Sequence, residues 1–318
     1  MKRSDISPHA PAFSWRFLAP ANWGYWFFLV LIGILAWLPY RVRNALGSLI
    51  GRICARPNNK TRQRAEVNLA RCFPEWSDAK REQVILDTCI RGAQSLLALG
   101  IGAVRNKAYL DRHVRMHGAE LMLADMAAGK PVVMLVPHCW AIEVVGQWIA
   151  SEGYAWTAMM KPHSNPLLDW AMLLGRSRYP GRLYTRAHGI RPMLESIKQG
   201  YAAYYLPDQD HGMAKSEYVP FFATHKATLP GLGKMVEETG ATIYPVYATY
   251  DPKTGLFEGH VQTAIQDLPS GDKAMDARIL NRELEKMISI DPCQYMWTLK
   301  LLQSNPHGLP SPYIRKRK

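Results

Sequence analysis

Pro131-Val132-Val133-Met134-Leu135-Val136 runs directly into Pro137-His138-Cys139-Trp140-Ala141-Ile142-Glu143. Val132 to Val136 are apolar in succession, without the polar alternation of a strand that faces water on one side. Such a run predicts a strand covered on both faces, and so a sheet with helices packed against it. A helical stretch follows from about Trp140 to Ala150. In open α/β sheets ligands bind beyond the carboxyl ends of strands, which puts His138 where chemistry is expected.

The same alternation continues outward from this segment. Tyr154 to Met160, Tyr201 to Leu206 and Thr242 to Tyr250 are further strand candidates, and Leu167 to Gly175 a further helix. Asn59 to Leu69 and Asp78 to Leu99 read as helices separated by Pro74, the second with Ser77 as its N-cap. Strands alternating with helices predict an α/β fold whose sheet contains parallel pairs.

The 318 residues are 48% hydrophobic and 20% charged, which supplies a sizeable core and excludes wholesale disorder. Lys and Arg outnumber Asp and Glu by 39 to 26, a net charge of +13. That excess suits acidic partners: nucleic acid, an anionic membrane, a phosphorylated substrate or an acidic protein. Five cysteines, at 54, 72, 89, 139 and 293, show no CxxC spacing, which argues against a disulfide framework and a zinc cluster. GxGxxG, GxxxxGKS or GxxxxGKT, and HExxH do not occur, so dinucleotide, P-loop and zincin readings have no support.

Phe17 to Tyr40 contains no charged residue. Ala21 to Tyr40, if helical throughout, would extend about 30 Å, the thickness of a bilayer core. Trp23, Tyr25 and Trp26 stand at one end and Trp37 and Tyr40 at the other, as interfacial aromatic belts do. A cleaved signal peptide and a buried core helix compete with this reading. The apolar run exceeds the ~7–15-residue core of a signal peptide. Residues 41–64 then carry Arg41, Arg43, Arg52, Arg56, Lys60, Arg62 and Arg64 without an acid, a block that resists translocation. The expected organisation is an N-terminal membrane anchor over residues 1–40 and a cytoplasmic domain over 41–318, its segment 41–110 helical and basic. The tail Arg315–Lys318 reads as a solvated end, with membrane-surface contact the alternative.

Within the domain, His138 and Glu143 form a His-x4-Glu pair. Ten histidines among 26 acids make one such pair no rarer than chance, so its weight rests on location. With His138 ahead of the helix and Glu143 in its first turns, the carboxylate can reach the imidazole and fix its tautomer, leaving the other nitrogen to take a proton from an alcohol. A capping histidine with a solvent-facing glutamate fits the spacing equally well. Cys139 invites a thiol nucleophile, but neighbours at a strand end point apart, and a small buried thiol is the default. Lys161, Arg176, Arg178, Arg182, Arg186 and Arg191 stand against the single acid Asp169 over residues 161–191, as an exposed basic face or a phosphate-gripping cleft. Asp208-Gln209-Asp210-His211-Gly212 closes the Tyr201 strand as an Asx-type turn or, more weakly, a metal pair.

VPHCWAIE at 136–143 resembles the H-x4-D/E block of the glycerolipid and lipid A acyltransferases. The resemblance extends through NLARCFPEWS at 68–77, NPLLDW at 165–170, GRLYTRAHGI at 181–190, YYLPDQDHG at 204–212, FFATHKATLP at 221–230, IYPVY at 243–247 and CQYMWTLKLL at 293–302. Together these segments are similar to the late lipid A secondary acyltransferases, the DQDHG block most of all to the myristoyl-type members that add the last chain.

The resemblance implies a glycerolipid-acyltransferase-like mixed sheet flanked by helices. His138 would be general base on a 3-hydroxyl of an acyl chain already attached to the lipid A precursor, with Glu143 as its orienting partner. The donor would be an acyl-carrier-protein thioester. Arg176 follows the NP-x2-D segment and Arg186 belongs to the second block; both would hold phosphate or the developing oxyanion. Asp208 and Asp210 occupy the third block, where this chain lacks the E-G-T-R of the glycerol-phosphate enzymes, and their role stays open. Pro245 and Val246 match the fourth block as a structural strand.

No metal or organic cofactor is expected, since general-base attack on an activated thioester suffices. The expected partners are the acidic carrier protein, the phosphorylated precursor and the inner membrane, and not nucleic acid. A membrane-tethered nucleic-acid binder and a thioesterase or O-acyltransferase with another acceptor are the rival readings.

Overall fold

In the computed structural model, which describes residues 7–57 and 59–313, helices precede an α/β body. The elements run α1 (Trp23–Leu35), α2 (Tyr40–Cys54), α3 (Lys60–Cys72), α4 (Asp78–Leu97), α5 (Ile101–Val104), α6 (Lys107–His113), β1 (Val114–His117), α7 (Glu120–Ala127) and β2 (Val132–Leu135). Then come α8 (Ile142–Ser151), β3 (Trp156–Met160), α9 (Pro166–Arg176), β4 (Gly181–Thr185), α10 (Arg191–Lys198) and β5 (Ala202–Tyr205). The chain continues through β6 (Glu217–Phe221), β7 (Thr224–Thr228), α11 (Gly231–Thr239), β8 (Thr242–Asp251), β9 (Leu256–Val261) and α12 (Lys273–Ile290). The basic tail Arg315–Lys318 lies outside the described residues.

Seven strands form one sheet in the order β1-β9-β8-β2-β5-β3-β4. All neighbours are parallel except the antiparallel pair β8–β9. This is the expected mixed α/β sheet flanked by helices. Val132 to Val136 are at most 1% exposed, which explains why this stretch carries no polar alternation. β6 and β7 form a separate antiparallel hairpin that packs under α12.

The helix boundaries follow local chemistry. The Ser77 hydroxyl accepts the Lys80 N–H at 3.2 Å, starting α4 where the sequence predicted. Asn165 caps α9 with bonds from the Leu167 and Leu168 N–H groups, and Pro166 occupies the first turn.

The expected apolar span from Ala21 to Tyr40 is not one helix. α1 stops at Leu35, Ala36 to Leu38 form a turn, and Pro39, with no N–H to offer, precedes α2. Among the described residues, the one helical stretch long and apolar enough to cross a bilayer is Asp78–Val104, and most of it is buried inside the protein.

α2 lies against α4 at backbone contact distance. A Cβ on Gly51 would sit 2.4 Å from the Ile90 Cα, and one on Gly47 2.8 Å from the Gln94 Cα. Gly51→Ala therefore forces the two backbones apart. We expect a net loss of about 1–2 kcal/mol after the gain in helix propensity, read as a lower thermal unfolding midpoint. An unchanged midpoint would mean the seam is looser than its geometry.

Candidate active site

β2 ends at Leu135, and Val136 still donates its N–H to Tyr205 O of β5 at 2.9 Å. Beyond this last rung the chain turns through Pro137, His138 and Cys139 into α8. Residues 294–296 clamp the turn from outside. The Trp140 N–H donates to Gln294 O at 3.0 Å and the Met296 N–H to His138 O at 2.9 Å. Cys139 is wholly buried, and burial pushes its thiol far up, so it serves as packing and not as a nucleophile.

The adjacent strand end, beyond β5, carries Asp208. Its carboxylate is fully buried and accepts twice from one residue, the His138 N–H at 2.8 Å and Nδ1 at 2.5 Å. Burial alone would lower the imidazole's proton affinity, but the Asp208 charge and hydrogen bond outweigh it, and the net shift of His138 is upward. Asp208 is shifted down, since the attraction of His138 and its bonds overcome the upward push of burial. With Nδ1 donating to Asp208, Nε2 keeps its lone pair and faces the cleft.

Gln209 completes the arrangement. Its amide nitrogen lies 3.2 Å from His138 Nε2, to which it donates in this tautomer, and its Oε1 accepts from Arg186 Nη2 at 3.0 Å. Asp210 works elsewhere: it accepts the N–H groups of Gly212 at 2.9 Å and Ser304 at 2.6 Å, tying the loop to the C-terminal segment. Lys226 of β7 is fully buried close to Asp208, and among the described residues its Nζ has no hydrogen-bond partner. Burial lowers its proton affinity, and the charges of Asp208 and Asp210 oppose that shift without reversing it.

Glu143 departs from the expected role of orienting the imidazole. It lies in the first turn of α8 as predicted, but its carboxylate takes the fork of Arg176 from the last turn of α9, with Nε donating to Oε2 at 3.2 Å and Nη2 to Oε1. Two physical reasons account for the exchange. Asp208 already occupies Nδ1 from the neighbouring parallel strand, and a guanidinium offers a carboxylate two parallel bonds where an imidazole offers one. Strand adjacency is what sequence reasoning missed: His138 and Asp208 are 70 positions apart, and no local pattern shows that β2 pairs with β5. Gln209 and Lys226 stood inside motifs already noted, yet nothing in their spacing showed which way they face.

His138, Glu143, Arg176, Arg186, Gln209 and His211 line one cleft of about 1720 Å³. Its lining includes the clustered apolar Trp156, Ala158, Met160 and Leu183, the basic Lys161, Lys215, Lys234 and Lys273, and the acidic Glu217, Glu237, Asp272 and Asp276. The cleft thus combines a base with room for hydrocarbon and cations for phosphate. Among the described residues no group of three or more His, Cys, Asp or Glu could hold a metal ion.

The profile described as bacterial lipid A biosynthesis acyltransferase matches residues 10–304. A lipid A biosynthesis acyltransferase of Haemophilus influenzae is 38% identical over 296 residues, 93% of this chain and 92% of that one. A lipid A biosynthesis myristoyltransferase of Escherichia coli is 36% identical over 314 residues, covering 99% and 97% of the two chains. A lipid A biosynthesis lauroyltransferase of the same organism is 27% identical over 305 residues, 95% of this chain and 99% of that one.

Proposed function

Because the chain belongs to the bacterial lipid A biosynthesis acyltransferases, we propose that it transfers one fatty acyl chain from an acyl-carrier-protein thioester to a 3-hydroxyl of a phosphorylated lipid A precursor. The chain is myristoyl or lauroyl, and the product of a penta-acyl acceptor is hexa-acyl. Residues 1–40 anchor the enzyme at the inner membrane, and 41–318 form the acyltransferase domain on the cytoplasmic side.

The observation that carries this reading is the buried Asp208 holding His138 with Nε2 turned to a cleft lined by both apolar and basic side chains. Nε2 takes the proton of the acceptor hydroxyl as its oxygen attacks the thioester carbonyl. The C–O bond forms, the C–S bond breaks, and the imidazolium returns its proton to the departing thiolate. Arg176, held by Glu143, stabilises the charge that develops on the carbonyl oxygen, while Arg186 and the cleft lysines hold phosphate.

Mass spectrometry of a penta-acyl precursor incubated with the enzyme and a panel of acyl-carrier-protein thioesters tests the proposal. The expected result is one acyl increment, absent with His138→Ala. Free fatty acid released at the same rate without acceptor would make the enzyme a thioesterase instead.

Arg176→Ala is expected to lower kcat/KM about 10²-fold, the order of one lost oxyanion donor. Glu143→Ala combined with Arg176→Ala should cost little more than Arg176→Ala alone, because the pair acts as a unit. Additive losses in the double variant would show that Glu143 has a separate task.

A further inference from the structure

The segment before α1 is held by the catalytic body. The His9 N–H donates to Leu183 O of β4 at 2.7 Å, and the His9 ring meets Asp169 of α9 at 2.7 Å. Phe13 stands edge-on to Trp170 with ring centres 5.3 Å apart, and buried Phe17 lies 6.1 Å from the same ring. The other end of α1 is held by the same body. Leu35 and Ala36 are buried, and a Cβ on Gly100, just ahead of α5, would meet Ile32 O at 2.5 Å.

Between these two attachments α1 lies along the protein. Trp26 packs on Trp170, and Gly33 faces Val104. The outward face is apolar and bare: Trp23, Phe27, Phe28, Val30 and Ile34 are between 47 and 71% exposed. α2 continues this surface with exposed Val42, Leu46, Leu49, Ile50 and Ile53, at helical spacing. Patches of this extent mark an interaction surface.

A helix that crosses a bilayer leaves its two flanks on opposite sides, whereas both flanks of α1 are bound to one body. Its 13 residues also extend only about 20 Å, short of the ~30 Å hydrocarbon core. The surrounding charge specifies the partner: Arg41, Arg52 and Arg56 are exposed beside the apolar face, and no acid occurs from 41 to 64. An apolar helical face with a cationic border fits an anionic phospholipid surface.

We infer that α1 and the outer face of α2 lie in the plane of one leaflet of an anionic bilayer, and that α1 does not cross it. The segment from residue 7 onward therefore stays on the side of the catalytic domain. This inference rests on the proposed membrane attachment and departs from a single transmembrane pass.

The test uses the full chain in membranes, with Cys54 and Cys293 replaced by serine and one new cysteine at a time, Ser7→Cys ahead of α1 or Glu120→Cys on the catalytic body. An impermeant maleimide is applied to inverted vesicles and to spheroplasts. Both positions should label in inverted vesicles and neither in spheroplasts. Labelling on opposite sides, with the protein still in the membrane fraction, overturns the in-plane placement and leaves membrane attachment standing. Recovery of the protein in the soluble fraction overturns attachment itself. In addition, Leu49→Glu with Ile53→Glu should weaken retention on phosphatidylglycerol vesicles at least tenfold without lowering the unfolding midpoint. Undiminished retention removes α2 from the membrane surface.

Discussion

His138→Ala is expected to lower the rate of acyl transfer about 10²–10⁴-fold while the fold stays in place. A thousandfold loss corresponds to about 4 kcal/mol of transition-state stabilisation. Alanine keeps the backbone N–H that Asp208 accepts at 2.8 Å and the carbonyl that accepts from Met296, so the turn retains both main-chain clamps. The imidazole alone is lost, and with it the nitrogen that takes the hydroxyl proton. Asp208 loses its Nδ1 partner but still accepts the main-chain N–H of residue 138, which limits the effect on stability. Mass-spectrometric transfer rates together with a thermal unfolding scan decide the matter. Transfer within tenfold of the parent enzyme would remove His138 from the mechanism.

Asp208→Asn is expected to cost a comparable factor, about 10²–10⁴ in kcat, by a different route. The amide keeps the carboxylate's shape but can accept through only one atom, so either the His138 N–H or Nδ1 loses its acceptor. The imidazolium formed during proton abstraction also loses its counter-charge. The pH dependence separates this from structural damage. In the parent enzyme burial pushes His138 down, Asp208 pushes it up further, and the net shift is upward. The base must be neutral to act, so the acidic limb of kcat/KM should lie above the ordinary histidine value of about 6.5, with activity falling as pH drops through it. Without the aspartate charge, burial and the nearby charges of Arg186 and Lys226 all act downward, so the limb in Asp208→Asn should move to lower pH. A limb that stays fixed would show that Asp208 does not set the base.

Residues 131–143 disclosed the central strand, its burial and the helix after it because each depends on neighbours in the chain. Ser77 gave away the start of its helix for the same reason. The site was legible only in part. His138 could be placed from the end of its strand, but its buried partner comes from β5, and strand order is a long-range property absent from local periodicity. Glu143 was found at the right place on α8 and assigned the wrong neighbour, since a side chain's direction depends on what α9 presents to it. The apolar run from Phe17 to Tyr40 places several large apolar side chains on the outside of the protein. Its length misled, because Pro39 and the turn before it divide the run into two helices. The β6–β7 hairpin escaped notice, with Pro220 inside a strand and Lys226 turned inward against the usual habits of both residues.

In the proposed mechanism Gln209 would impose an order of events on His138. With its amide joined to His138 Nε2 on one side and to Arg186 on the other, the resting imidazole is already engaged. An incoming hydroxyl gains the nitrogen only by displacing this amide, one hydrogen bond exchanged for another at little net cost. A lipid acceptor held along the cleft brings binding energy from its remote parts to that exchange. A water molecule brings none. In the proposed mechanism the occupied base would then favour the bound acceptor over water as the group that displaces the amide, and so would slow hydrolysis of a waiting thioester.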